Sequence, residues 1–176
     1  GQMTDVLLFM QSGRDRELVA EALGEDYQVE MTTDAERLER SFECCVLDLF
    51  EFNRVAERIR DRRDTSNSEF LPFVLLTDES SPQGSEEAWE YVDDIINLPI
   101  QKRALRARIR NLVERHRTSA ALAEREERLE ETVQELKLKE KAMNEAPVGI
   151  TIDEVGETET SLVYVNESFR ELTGYD

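Results

Sequence analysis

Over about the first 115 residues, short apolar runs alternate with stretches of helical periodicity. Residues 6–10, VLLFM, are an unbroken apolar run. The loop QSGRD then leads into a segment whose Leu18, Val19, Ala22 and Leu23 share one helical face before Gly24 ends it. The order then repeats. YQVEMTT alternates as a strand, and Thr33 with Glu36 makes a capping box for a helix reaching Phe42. CCVLDLF is an apolar run interrupted only by Asp48, the pattern of a strand buried on both faces, and VAERIRDRR follows as a helix. FVLLTD is a fourth strand. A Ser, Pro and Gly stretch over residues 80–85 leads to a helix over residues 86–91, and DIINL is a last short strand that closes at Pro99.

Such regular alternation predicts an α/β fold: a flavodoxin-like, doubly wound, five-stranded parallel sheet with helices on both sides. Its reactive crevice lies beyond the carboxyl ends of the strands. After Pro99 the punctuation stops. No Gly or Pro occurs between Ile100 and Ala146, a span rich in Glu, Arg, Ala and Leu, so one long helix is expected. Leu105, Ile109, Leu112 and His116 stand at the spacing of a face that packs on the sheet. Leu122, Leu129, Leu136 and Met143 then recur every seven residues, with Val133 four after Leu129. That repeat predicts a coiled-coil homodimer through residues 120–145; Glu126 and Glu140 at the alternate positions keep a lone solvated spacer open as the other reading. Pro147 and Gly149 break the helix, and VGITIDEV and LVYVN read as two strands of a hairpin before Asn166 caps the short helix ESFRELTGY. These last residues are too few to bury a core of their own, so the chain is expected to stop inside a further domain, with Gly1 and Gln2 as a tag remnant.

Charge narrows the function classes. Forty Asp and Glu against 22 Lys and Arg give a formal charge of -18, which repels a nucleic-acid backbone and an anionic bilayer alike. No apolar run approaches the roughly 18 residues of a membrane span, and no signal segment opens the chain, so a cytoplasmic setting is expected. Cys44 and Cys45 are adjacent and cannot staple the fold, which fits a reducing compartment. Only Lys102, Lys137, Lys139 and Lys141 are lysines among the basic residues. An arginine-biased acidic surface resembles proteins of salt-loving organisms, though an ordinary acidic cytoplasmic protein has the same signs.

The strand ends carry a resemblance. VLDL with its Asp, VLLTD, and NLP before the last helix resemble a response-regulator receiver domain over residues 3–117. The resemblance places Asp48 at the phosphoacceptor, Thr77 at the switch hydroxyl and Pro99 at the turn after the fifth strand. The same resemblance calls for two acidic residues after the first strand to bind Mg²⁺, and Met10 and Gln11 stand there; it calls for a lysine before the proline, and Leu98 stands there. The Pro and Gly usual after the acceptor strand are missing from LFEFN. Each loss removes charge stabilisation from a phosphoryl transfer that depends on positioning and electrostatics, so the resemblance is to a degenerate receiver, a pseudo-receiver. Two readings of Asp48 follow. It accepts phosphate with Mg²⁺ held by Glu51, Asp78 or Asp15 as substitute ligands, or it is an inherited carboxylate at an open strand end whose charge stays hydrated. Thr77 is expected to bond to backbone.

The segment over residues 146–176 resembles the opening of a PAS sensory domain, with Asn166, Phe169, Leu172, Thr173, Gly174 and Tyr175 in that family's N-x-x-F-x-x-L-T-G-Y pattern. Its ligand pocket would lie beyond Asp176, so no cofactor is expected within this chain, and Mg²⁺ only if the receiver is active. His116, in ERHRTSAAL, lacks the acidic neighbour and the proline of a kinase phosphoacceptor and is expected to be a half-buried or solvated helix residue. No metal site and no Gly-rich phosphate loop is seen, since QSGRD offers only Gly13, which leaves a nucleotide or flavin crevice as the weakest reading. A receiver-like domain, a connecting helix over residues 101–145 and a PAS segment together resemble the front half of a multidomain signal-transduction protein. Such a module is itself no enzyme, docks to a histidine kinase or another signalling partner, and precedes a kinase or DNA-binding output domain.

Overall fold

The structure is a computed structural model that describes residues 3–65, 69–78, 85–146, 151–155 and 160–165. The chain forms two compact units, residues 1–123 and 124–176. In the first, five strands, β1 (Val6–Phe9), β2 (Val29–Met31), β3 (Cys44–Asp48), β4 (Phe73–Asp78) and β5 (Asp94–Leu98), pair in parallel in the order β2-β1-β3-β4-β5. That order is the flavodoxin-like one. The apolar runs of β1, β3 and β4 explain it, because a strand covered on both faces has no polar side. Odd and even residues sort to opposite layers. Leu7, Phe9, Cys45, Leu47, Phe73 and Leu75 point to one core, closed by Phe52, Val55 and Ile59 of the helix α2 (Leu49–Thr65). Val6, Leu8, Val46, Val74 and Ile96 point to the other, closed by α1 (Arg14–Gly24) and by the start of a long helix. Burial pushes the Cys44 and Cys45 thiols well above the usual thiol range.

Four local expectations are corrected. The second crossover is a short 3₁₀ helix, Ala35–Glu39, and its cap is Asp34, whose carboxylate accepts from the Glu36 N–H at 3.0 Å, rather than Thr33. Helix α2 begins at Leu49, directly after Asp48, so LFEFN is its first turn and not a loop. In α1, Val19, Ala22 and Leu23 are buried but Leu18 is 50% exposed. The helix before β5 is only one turn, α3 (Ser85–Ala88).

The long helix α4 (Lys102–Glu145) has 44 residues without a break. Its buried residues Leu105, Ile109, Val113 and His116 follow the predicted stripe, with Val113 in place of half-buried Leu112. His116 corrects the expectation of a solvated or half-exposed side chain. It is buried, and its Nδ1–H donates to the Phe70 carbonyl at 2.6 Å. The Phe70 N–H donates to Ser119 Oγ at 2.7 Å, and Arg115 lies 4.1 Å from the Phe70 ring centroid. Phe70, three residues before β4, is thus held by Arg115, His116 and Ser119, which fall within about one and a half turns of α4. In the second unit, β6 (Thr151–Val155) and β7 (Thr160–Val165) pair antiparallel. Asn166, Phe169, Leu172, Thr173, Gly174 and Tyr175 lie outside the described residues.

Ile109 is fully buried between α4 and the sheet. Ile109→Ala is expected to lower the unfolding free energy by about 2–5 kcal/mol, read from the denaturation midpoint at unchanged slope.

Candidate functional site

The carboxyl ends of β1, β3, β4 and β5 bring together Met10, Gln11, Asp48, Thr77, Asn97 and Leu98. Asp48 is the last residue of β3 and the residue before α2, so its side chain reaches the first N–H groups of that helix. Its Oδ1 accepts from the Glu51 N–H and its Oδ2 from the Gln11 N–H, each at 2.7 Å. The first is a helix cap, and the second ties the end of β1 to the end of β3. Both oxygens thus accept from backbone donors, at a residue that stays half-buried. The Pro and Gly missing from LFEFN account for it: nothing in LFEFN breaks a helix, so α2 starts at once and presents its N–H groups to the preceding aspartate.

The surrounding side chains do not form a cation cage around that carboxylate. Met10 is 2% exposed and packs in the core under α1 and α4. Gln11 offers a neutral side chain and spends its N–H on Asp48. Glu51 is buried, but its Oε2 is bound by the Arg54 guanidinium, with Nε at 2.8 Å and Nη2 at 2.6 Å. Arg54 also donates to the Thr33 carbonyl and lies 5.5 Å from the Phe9 ring centroid. Asp15 and Asp78 face elsewhere, lining a cleft of about 590 Å³ between α1 and the turn from β5 to α4. Among the described residues no three His, Cys, Asp or Glu side chains converge as a metal site. Met10 and Gln11 supply no carboxylate beside Asp48, and the Oε2 of Glu51 is held by a guanidinium.

Thr77 is 7% exposed, and its Oγ1–H donates to Asn97 Oδ1 at 2.8 Å. The expected backbone partner is therefore replaced by a side chain. The register explains the pair, because Thr77 of β4 stands directly opposite Asn97 of β5. Leu98 is half-buried and contributes an apolar wall to the cleft, and the Leu98–Pro99 bond is cis. Asn97 and Arg54 were not visible as site residues in the sequence. The signal for Asn97 was the alternation of DIINL once its register with FVLLTD is known, and Arg54 had only its spacing of three from Glu51.

No protein-family model matches the chain. A stretch of 41 residues is 49% identical to the bacterioopsin transcriptional activator of Halobacterium salinarum, covering 23% of this chain and 6% of that protein. Among solved structures, the signal receiver domain of a LuxO repressor protein from Vibrio parahaemolyticus is similar with a TM-score of 0.57 at 17% identity, over 69% of this chain and 98% of that one. NtrX from Brucella abortus in complex with ADP has a TM-score of 0.56 at 18% identity, over 70% of this chain and 29% of its own. The BeF3-activated DrrB receiver domain has a TM-score of 0.51 at 21% identity, over 64% of this chain and 99% of its own. The chain thus has the receiver fold, and it spans under a third of NtrX and a small fraction of the activator. No helix among the described residues is long and apolar enough to cross a membrane.

If Asp48 acts as a cap, its substitutions should grade by the bonds they keep. Asp48→Ala removes both and is expected to cost about 1–3 kcal/mol of unfolding free energy. Asp48→Asn keeps one acceptor oxygen and should cost about half as much in the same urea titration. Equal costs for the two would show that the hydrogen bonds to Gln11 and Glu51 do not set the stability.

Proposed function

We propose that this chain is a non-catalytic signalling module of the two-component type, a degenerate receiver that acts by docking and dimerisation in the cytoplasm and is coupled through α4 to a PAS sensor. The observation that carries the reading is the state of Asp48. An aspartate that accepts phosphate needs cations to neutralise the incoming phosphoryl group. Here each oxygen takes a backbone N–H, the neighbouring positions are Met10 and Gln11, and Leu98 supplies no ammonium group. The carboxylate works in the fold, and what remains for signalling is surface. The likeness to a stretch of a haloarchaeal activator supports a regulatory setting, with a histidine kinase or DNA-binding output domain further along the full protein.

Dimerisation is assigned to residues 120–145. Leu122, Leu129 and Leu136, seven residues apart, and Val133, four after Leu129, are 46–64% exposed on α4, and an apolar stripe of this period is buried by a second helix. The antiparallel pair of β6 and β7 supports the PAS reading of residues 146–176, for which no ligand is assigned. The second reading, a phosphorelay receiver with Mg²⁺ that takes phosphate on Asp48 from a histidine kinase, is favoured by one fact: Asp48 ends β3 and buried Thr77 is the last residue but one of its neighbour β4.

Acetyl phosphate with Mg²⁺ in molar salt, followed by intact mass, is expected to add nothing to the wild-type chain. A phosphate adduct that disappears in Asp48→Ala would replace the docking module by the relay. For the helix, Leu129→Glu with Leu136→Glu is expected to weaken dimerisation in sedimentation velocity while leaving the helical circular dichroism of the sheet unit intact. Unchanged association would remove the seam from the interface.

A further inference from the structure

The exposed seam on α4 carries a finer pattern than its seven-residue period. Leu122, Leu129, Leu136 and Met143 hold one seam position, and the other, four residues further on, is filled by Glu126, Val133 and Glu140. The residue just before each of these lies on the flank of the seam. It is Arg125 before Glu126, Thr132 before Val133 and Lys139 before Glu140. Each glutamate on the seam thus comes with a basic neighbour, and the apolar valine comes with an uncharged one.

These charges are not used within the chain. Arg125, Glu126, Lys139 and Glu140 are all exposed and form no ion pair with any other described residue. The ion pair of this stretch, Arg128 with Glu124 at 2.8 Å, lies on the side of the helix away from the seam. Residues one apart on a helix do not face each other, so Arg125 does not meet Glu126 of its own helix, nor Lys139 its own Glu140. A glutamate among seam leucines opposes association unless a cation reaches it, and here that cation has to come from the other helix.

We infer that residues 122–143 pair with the same residues of a second copy, parallel and in register, with each Glu126 reached by the partner's Arg125 and each Glu140 by the partner's Lys139. In a parallel pair a side chain at the glutamate position packs against the same position of the other helix and against the flanking residue just before it. Each charged layer then holds two carboxylates and two basic groups, and Arg125 also faces the partner's Glu130 across the flank. An antiparallel pair sets the glutamate position against the leucine position and this flank against itself. Each glutamate then lies across from Leu or Met, and within these residues Arg125 can face only Lys139, Thr132 or a second Arg125. A slip of one heptad fails too, because it lays the charged layers at 126 and 140 on the apolar layer at 133. The order charged, apolar, charged therefore selects one orientation and one register, as polar residues on such a seam do at a cost in stability. The inference rests on the dimerisation reading and adds what chooses the partner: a helix with the same order of charges, which a second copy supplies.

The test uses the full chain, in sedimentation velocity and by disulfide trapping. Cys44 and Cys45 are buried, so Leu122→Cys adds an exposed thiol that is alone in its copy. Mild oxidation is expected to link two copies through it, whereas an antiparallel pair over the same residues holds these thiols roughly 27 Å apart. A mixture of Leu122→Cys and Leu129→Cys chains is expected to link 122 to 122 and 129 to 129, but not 122 to 129, which a one-heptad slip would join. Lys139→Glu is expected to weaken the dimer about tenfold or more, and adding Glu140→Lys to restore it. Asn144, the flank partner of position 139, is neutral, so the exchange creates no like pair there. Both variants carry the same change at 139, so a mere loss of helix, read by circular dichroism, is not restored by the second. A monomeric wild-type chain overturns the dimerisation reading and this inference together. A wild-type dimer that gives no link at Leu122→Cys, that links 122 to 129, that ignores Lys139→Glu or that the exchange fails to restore overturns the inference and leaves dimerisation standing. None of these outcomes depends on whether Asp48 takes phosphate, which the mass measurement decides separately.

Discussion

A parallel sheet has no face to spare for water, and that constraint organises the first unit. β1, β3 and β4 are apolar on both sides, so each face must be covered by helix before the sheet is stable. α2 and the 3₁₀ helix close one face, and α1 with the first four turns of α4 close the other. α4 is thus obliged to begin as a core element, whatever its remaining residues do. His116 is its last buried residue, and there the requirement ends in a set of polar contacts rather than a cap: Phe70 is bonded to His116 and Ser119 and stacked under Arg115. Polar groups can serve at this position because the backbone around Phe70, just before β4, would otherwise be left with unpaired N–H and C=O groups near the core edge. The bonds also set which side of α4 faces the sheet.

The same economy explains the strand ends. When α2 follows β3 with no loop, its first N–H groups need acceptors, and the residue best placed to supply one is the last of β3. Asp48 does so with one oxygen and binds the Gln11 N–H with the other. Glu51 is buried in the first turn beside it, and Arg54 one turn on neutralises that charge while donating to the Thr33 carbonyl. Two carboxylates, a guanidinium and three backbone segments are thus joined by hydrogen bonds at this strand end.

Much of this was legible in the sequence, and the limits have physical causes. The five strands and their order class followed from period-two and continuous apolar runs, which report burial directly. The long helix followed from the absence of Gly and Pro after Pro99. What failed were features decided by tertiary contact. Thr33 and Asp34 are equally good caps by residue type, and the 3₁₀ geometry that chose Asp34 depends on Leu38 packing against the sheet. Leu18 fits the helical stripe of α1 by spacing, yet its neighbour on α4 leaves a cleft there instead of a core. Thr77 needed a partner, and only the β4–β5 register reveals that Asn97 is that partner. Asp48 was singled out by its place at a strand end, but which groups would claim its oxygens turns on where α2 starts, and helix starts are the least determined feature of a sequence.

Electrostatics joins the two halves of this account. The ion pairs that hold α4 to the α1 side, Lys102 with Glu25 and Arg106 with Glu25 and Asp26, are solvent-exposed, and such pairs individually add little to stability. Their greater effect is on the sum. Hydrogen bonding to Lys102, with its positive charge close by, holds the Glu25 carboxyl below its ordinary range. Concentrating basic residues on one stretch of an acidic chain places attraction at contact distance and leaves repulsion spread over the rest of the surface. Added salt acts unequally on the two, because a pair at 2.6–3.0 Å lies within the screening length even at molar ionic strength while the dispersed negative charges lie far outside it. Screening therefore removes more repulsion than attraction from this fold.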